Sequence, residues 1–347
     1  MKIKLLRLAV LGVLAIPAGA LAQSANVTIY GRANLSMEAT KASNGGRTLY
    51  QLVSNSSRMG LRGEEDLGGG MSAVFQLENS ISWDAAGGAL AGRDSWVGLT
   101  GTWGKFRMGR MTSPLYYATW DALPENNHDT GNASDALFGQ AQNTQTAAAY
   151  GGGRFNNAVY YSTRGMNGFT FEVAYAALTE TTTPIRPSHT EFAVQYENGP
   201  LYVGTGYTTT KTANVATTSK AEYNSAFPIL AVYDFKSVVV GLGYERARRE
   251  LPGSPTVHRN YWRIAGMAPV GPHEFHLSYG DAGNVSGAPD SGAKEWILGY
   301  NYNLSKRTKV YAFYVKVDND RNGAYGFLTN TPGVDNSSFA VGMRMNF

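Results

Sequence analysis

Val27-Thr28-Ile29-Tyr30-Gly31-Arg32-Ala33-Asn34-Leu35-Ser36 divides into two faces, with Val27, Ile29, Gly31, Ala33 and Leu35 on one and Thr28, Tyr30, Arg32, Asn34 and Ser36 on the other. A period of two belongs to an extended chain, whose successive side chains point to opposite sides. The pattern returns in Phe169-Phe171-Val173-Tyr175 against Thr170-Glu172-Ala174-Ala176. It returns again in the stripes Phe192-Val194-Tyr196, Val238-Val240-Leu242-Tyr244, Phe275-Leu277-Tyr279, Trp296-Leu298-Tyr300-Tyr302 and Tyr311-Phe313-Val315-Val317, which are taken as the apolar face. Nowhere does it give way to a period of 3.6, and no linker or charge block divides the chain.

Strands are therefore expected at 26–38, 50–65, 71–82, 94–101, 105–112, 154–164, 168–178, 190–198, 201–210, 225–234, 237–247, 259–269, 272–281, 294–303, 308–318 and 337–347, sixteen in all. Their connections alternate between short (66–70, 102–104, 165–167, 199–200, 235–236, 271 and 304–307) and long (83–93, 113–153, 179–189, 211–224, 248–258, 282–293 and 319–336). Hairpins with short turns at one end and long loops at the other describe an up-and-down barrel, and membrane barrels carry this asymmetry. A secreted sandwich or β-helix would alternate too. Here the residues opposite the apolar stripes are Gly, Ser, Thr, Asn and spaced Arg, Glu and Lys, which suits a water-filled lumen, while the stripes suit lipid. The expected fold is all-β: a sixteen-stranded antiparallel transmembrane β-barrel with short periplasmic turns and long extracellular loops. Ring closure also removes the unpaired edges that lipid would not tolerate.

Composition agrees. Of 347 residues 41 are glycine, 12% are aromatic and 16% are charged, against roughly 7% glycine and roughly 25% charged in ordinary domains. Disordered and long helical chains are thereby excluded. Lys2, Lys4 and Arg7 precede an apolar run from Leu8 to Ile16, and Ala20-Leu21-Ala22 supplies a cleavage pattern, so residues 1–22 are expected to be a secretory signal peptide and 23–347 the barrel. Three positive charges leave with that segment, so the formal charge of +4 falls to +1. A nearly neutral exported chain gives no reason to expect a nucleic-acid partner. With no cysteine, disulfides cannot be what holds it together.

Catalytic chemistry is not evident. Of His128, His189, His258, His273 and His276, only His276 falls squarely in an expected strand, on the lumen parity beside Glu274, where a polar wall residue is the simple reading. The runs Gly68–Gly70 and Gly151–Gly153 lack the Lys and Ser/Thr of a phosphate cradle. No spacing suggests zinc, no loop shows a calcium pattern, and no cofactor is expected. An enzyme is not expected.

Ser57-Arg58-Met59-Gly60-Leu61-Arg62-Gly63-Glu64-Glu65-Asp66-Leu67-Gly68-Gly69-Gly70 is the most specific of several stretches that resemble the Gram-negative general (trimeric) porins of betaproteobacterial type. Others are Val27-Thr28-Ile29-Tyr30-Gly31, Val97-Gly98-Leu99-Thr100-Gly101, Gly104-Lys105-Phe106-Arg107-Met108-Gly109-Arg110, Arg154-Phe155-Asn156-Asn157-Ala158-Val159-Tyr160-Tyr161-Ser162, Leu304-Ser305-Lys306-Arg307-Thr308 and the last strand. The resemblance spans nearly all of 26–347. It implies a homotrimer in the cell outer membrane, among lipid and lipopolysaccharide, passing small hydrophilic solutes and ions by passive diffusion. It also implies that Phe347 is read by the outer-membrane assembly machinery, and that the loop between 83 and 93 latches onto a neighbouring subunit.

Within that resemblance the third long connection, 113–153, folds into the barrel as a constriction, and its length alone suggests a function. Its acids are Asp121, Glu125, Asp129 and Asp135, the first two favoured for the constriction because they come early; the alternative for each is the extracellular surface. The family's facing arginines match Arg58, Arg93 and Arg154. Alternation independently turns Arg58 inward with Gly60 and Arg62, opposite Met59 and Leu61, and Arg154 inward with Asn156, opposite Phe155 and Val159. Arg93 needs a bulge or a strand start at Asp94 to reach the lumen. Arg32, Arg62, Glu78, Lys105 and Arg107 share the inward parity, as does Arg344, whose alternative role is barrel closure. Three matched arginines imply mild anion selectivity. A substrate-specific channel on the same scaffold is the alternative, and a barrel adhesin or enzyme a distant third.

Overall fold

The computed structural model describes residues 26–124, 137, 153–177, 185–213 and 220–347. The expected signal segment lies outside them. The wall strands are β1 (Asn26–Ala42), β2 (Leu49–Ser54 and Arg58–Gly68), β3 (Met71–Ile81), β4 (Ser95–Gly101), β5 (Gly104–Thr112), β6 (Arg154–Ser162), β7 (Phe169–Ala177), β8 (Ser188–Asn198), β9 (Leu201–Ala213), β10 (Ala221–Asp234), β11 (Val239–Glu250), β12 (Val257–Val270), β13 (His273–Ala282), β14 (Ala293–Asn303), β15 (Thr308–Asn319) and β16 (Asn336–Asn346). Each pairs antiparallel with the next, and β16 returns to β1 from Arg32↔Asn346 to Ala42↔Asn336, so the sheet is a closed sixteen-stranded barrel.

The two halves of β2 form one strand because both pair with β1, first from Thr40↔Leu49 to Leu35↔Ser54 and then from Arg32↔Arg58 to Asn26↔Glu64. Three residues of β2 lie opposite two of β1 at the break, which is a bulge. Ser56 takes the extra residue at φ 51°, and Asn55 and Ser57 bond across to Ser36 and Asn34 at 2.7 and 3.0 Å. A two-residue pairing of Gly88–Ala89 with Ser80–Ile81 lies within the connection between β3 and β4.

The apolar stripes face outward. Ile29, Val97 and Leu277 are 65%, 57% and 52% exposed, a waste of apolar surface in water and the expected arrangement in lipid. Aromatic rings mark both edges of this band. Near the long connections Trp262 and Tyr279 lie 5.2 Å apart and Tyr279 and Trp296 4.4 Å; near the short turns the pairs are Tyr233 with Phe235 and Phe169 with Tyr196, each at 4.5 Å.

β15 corrects one expected face. Tyr311, Phe313, Val315 and Val317 are buried on the inner side, while Tyr314 is exposed opposite Phe339 on the outer side. The connection 320–335 folds inward here, so that Phe327 packs on Phe313 and its neighbours and Tyr325 is buried. Several strands also run further toward the long connections than the alternation indicates, as in β10 and β11. Above the lipid both faces meet water, so alternation fades while backbone pairing continues.

The seam is finished by Phe347, whose N–H donates to the Gly31 carbonyl at 3.0 Å and whose carbonyl accepts from Gly31 at 2.9 Å. Its ring lies over Gly31, where a Cβ would collide with it.

Candidate functional site in the lumen

The start of the long connection after β5 lies against the inner wall. Helix α1 (Pro114–Ala118) begins with proline in its first turn and is capped by Ser113, whose Oγ accepts from the Tyr116 N–H at 3.0 Å. The same hydroxyl donates to the buried Glu191 carboxylate of β8 at 2.8 Å, and His189 Nε2 lies 2.8 Å from that carboxylate. A single-turn helix this short has little stability of its own, so the wall must fix it. Tyr202 donates to the Ala118 carbonyl at 2.8 Å, and Trp120 Nε1 to Glu245 at 3.1 Å. Leu115, Ala118, Trp120 and Leu123 are buried against Ala193, Ala226 and Leu230, and each large side chain so buried contributes about 1.5–3 kcal/mol.

Glycines make this seat possible. A Cβ on Gly204 would strike the Ala118 carbonyl, one on Gly243 would come within 2.7 Å of the Trp120 ring, and one on Gly241 within 2.9 Å of Leu123 and Pro124. All three point inward, between outward neighbours such as Leu242 and Tyr244.

The wall around the seam carries charge instead. Arg32 of β1 stands directly opposite Arg58 of β2, and Arg344 of β16 directly opposite Lys309 of β15. Like charges so placed are destabilising, which Glu274, 3.4 Å from Lys309 Nζ, offsets in part. Arg32 interacts electrostatically with Arg58, Arg344 and Arg93, and with Asp121 as a counter-charge; Arg58 interacts with Arg93 and Arg154. Arg93 precedes β4, donates its N–H to the Glu78 carbonyl at 3.1 Å and pairs with the Glu78 carboxylate. Arg58 Nε lies 3.9 Å from the other Glu78 oxygen, to which Tyr30 also donates at 3.0 Å. Buried Asp94 accepts from Arg154 Nε at 2.7 Å and from the Thr112 hydroxyl at 2.6 Å. Tyr117, on α1, stands among these charges; burial, seconded by Asp94, pushes its hydroxyl pKa up.

Arg154 reaches Asp94 from above a bulge. Asn157 has φ 52° and the register with β5 shifts there, so strict alternation does not cross it. Phe155, expected to face outward, instead stacks on His189 at 3.7 Å inside the barrel. Arg62, Lys105 and Arg107 form a second tier nearer the short turns. Arg62 lies over Tyr30 at 5.3 Å, and Arg107 over Trp96 at 5.5 Å with Glu172 at 3.3 Å. A hollow of about 730 Å³ beside them is lined by Arg62, Gln76, Trp96 and Lys105. Glu125, Asp129 and Asp135 lie outside the described residues. The segregation of arginine to wall and carboxylate to loop is also incomplete, because Glu78 and Asp94 sit among the arginines. Asp94, Lys309 and Glu191 were not singled out by sequence reasoning; Lys309 shares the parity of Tyr311 and Phe313, and the face expected for that stripe turns it toward lipid. His276 is buried on the wall 3.6 Å from Glu274. Among the described residues no three His, Asp or Glu side chains converge as a metal site.

The family model for Gram-negative porins matches residues 8–322. The chain belongs to that family. This porin is 32% identical over 313 residues to outer membrane porin protein 32 of Delftia acidovorans, covering 87% of this chain and 86% of that one. It is 27% identical over 348 residues to an outer membrane porin protein of Bordetella pertussis, covering 85% and 83%. Its barrel is similar to the solved anion-selective porin from Comamonas acidovorans, with a TM-score of 0.80 and 28% identity over 93% of this chain and all of that one. The porin is thus an outer-membrane channel protein, and its relatives are channels and not enzymes.

Proposed function

We propose that this porin passes small hydrophilic solutes and ions by passive diffusion with a mild preference for anions, and that the preference arises where Arg32, Arg58, Arg93, Arg154 and Arg344 face Asp121. The observation that carries this reading is the two like-charge register pairs that flank the seam, Arg32 opposite Arg58 and Arg344 opposite Lys309. Cations held together at a cost to stability keep a positive potential that a passing anion lowers. Guanidinium groups suit the task because they stay charged and present a fork of donors to carboxylate or phosphate. Glu78 and Asp94 hold Arg93 and Arg154 in place and moderate the potential. The solved relative from Comamonas acidovorans, described as anion-selective, supports the sign.

The working unit is a homotrimer in this reading. The connection 82–94 exposes Trp83 and Leu90, the latter at 83%, as a latch onto a neighbour would before assembly. Phe347 serves as the assembly signal, its ring lying outward over Gly31. The test is the reversal potential of the purified porin in a planar bilayer under a potassium chloride gradient, together with step sizes. An anion-positive potential with conductance closing in three levels is expected. A cation-positive potential would refute the selectivity, and single unlinked levels the trimer.

A further inference from the structure

Charges on the lipid-facing side of a membrane strand are costly at mid-depth and nearly free at the interface. Arg246 and Arg248 stand on the outward parity of β11, directly above Leu242 and Tyr244, and both are exposed. Arg246 is paired in register with Phe227 on one side and Asn260 on the other, and Asn260 accepts from the Tyr244 hydroxyl at 3.1 Å. Tyr244 is itself opposite Trp262, the start of the aromatic belt that continues through Tyr279 and Trp296. Arg246 therefore sits one outward step above the belt, on the side of the long connections, which in such barrels is the outer leaflet. On β9, Lys211 has the same parity as Tyr207 and is paired with the exposed Tyr223.

The neighbouring charges make this patch different from the rest of the rim. Glu250 is the one acid on the outward faces of β9, β10 and β11 among the described residues, and Arg248 engages it at 2.9 Å. Arg246 and Lys211 have no acidic partner among the described residues. Further round the barrel at the same level, Lys294 is balanced by Asp281 and Lys316 by Asp318. An arginine and a lysine left uncompensated on a lipid-facing surface match the charge of lipid phosphates at that depth. Lys211 and Arg246 lie two strands and four register steps apart, roughly 16 Å between backbones, so two phosphates on one headgroup fit them better than a single ion.

We propose that the outward face of β9, β10 and β11, immediately above the aromatic belt, is a docking surface for an anionic outer-leaflet lipid bearing two phosphates, held by Arg246 and Lys211 with Arg248 at its margin. The hydrocarbon chains of that lipid lie along the exposed Tyr207, Phe227 and Ile229.

The test uses the full mature porin in detergent, titrated with bisphosphoryl lipid A, its monophosphoryl form and a phosphate-free analogue, with bound lipids counted by native mass spectrometry. Affinity is expected to fall in that order. Lys211→Gln with Arg246→Gln should weaken the bisphosphoryl form at least about tenfold, each interfacial cation contributing about 1 kcal/mol, while single-channel conductance is unchanged. Lys294→Gln with Lys316→Gln should leave binding as it was, and Lys211→Arg with Arg246→Lys should retain it. Arg246→Gln alone serves if the double variant fails to assemble, with a several-fold loss expected. Equal binding of all three lipids by the unsubstituted porin, or undiminished bisphosphoryl binding by the glutamine variants, overturns the proposal.

Discussion

Two arcs of the inner wall spend the same inward parity in opposite ways. Around the seam, β15, β16, β1 and β2 direct Lys309, Arg344, Arg32 and Arg58 into the lumen. On the far side, β8, β9 and β11 offer Ala193, Gly204, Gly206, Gly241 and Gly243, and a loop lies on them. The first arc crowds long cations together, with Glu78 and Glu274 against them. The second removes side chains so that Leu115 and Trp120 can approach the backbone. A narrow passage with a charged margin needs both, since a potential set on one wall acts on a solute only if something on the other side brings it close.

The comparison breaks most readily on the glycine side. Trp120→Ala removes a buried ring and its bond to Glu245 and should weaken the loop's hold by about 3–5 kcal/mol, read as higher and noisier single-channel conductance with the barrel intact on gels. Gly204→Val drives a branched side chain into the Ala118 carbonyl, an overpacking that costs about 1–3 kcal/mol, and should shift the same conductance while lowering the thermal unfolding temperature. On the charged arc, Arg58→Ser with Arg154→Ser should move the reversal potential at least halfway to zero with little loss of stability; an unchanged potential would remove these two residues from the selective margin. The smallest effect is expected from Asp121→Asn, which takes one counter-charge from the loop and should raise anion preference less than twofold. A fall in anion preference there would contradict the proposed facing of Asp121 and Arg32.

Much of this architecture was legible because the membrane imposes two environments at every step of each strand. Val27 to Ser36 shows both, and so the sixteen strands and their short and long connections could be placed. Legibility failed where the inside is itself apolar. On β15 both Tyr311-Phe313-Val315-Val317 and Val310-Ala312-Tyr314 qualify as a lipid stripe, and the choice depends on the connection 320–335 folding over one of them. The face of Phe155 was obscured by the extra residue at Asn157, which no alternation rule anticipates. The pairing of Arg344 with Lys309 becomes visible only once β16 has a register.

Ring closure joins distant parts of the chain. Arg32 and Asn346, 314 residues apart, share a hydrogen bond of 3.0 Å at the seam. Contacts of such separation form late and slowly, and no product of translocation that lacks either strand has a lumen at all. Permeability therefore arrives in a single event: until the two ends meet, the growing sheet offers the membrane an open edge and the cell no leak.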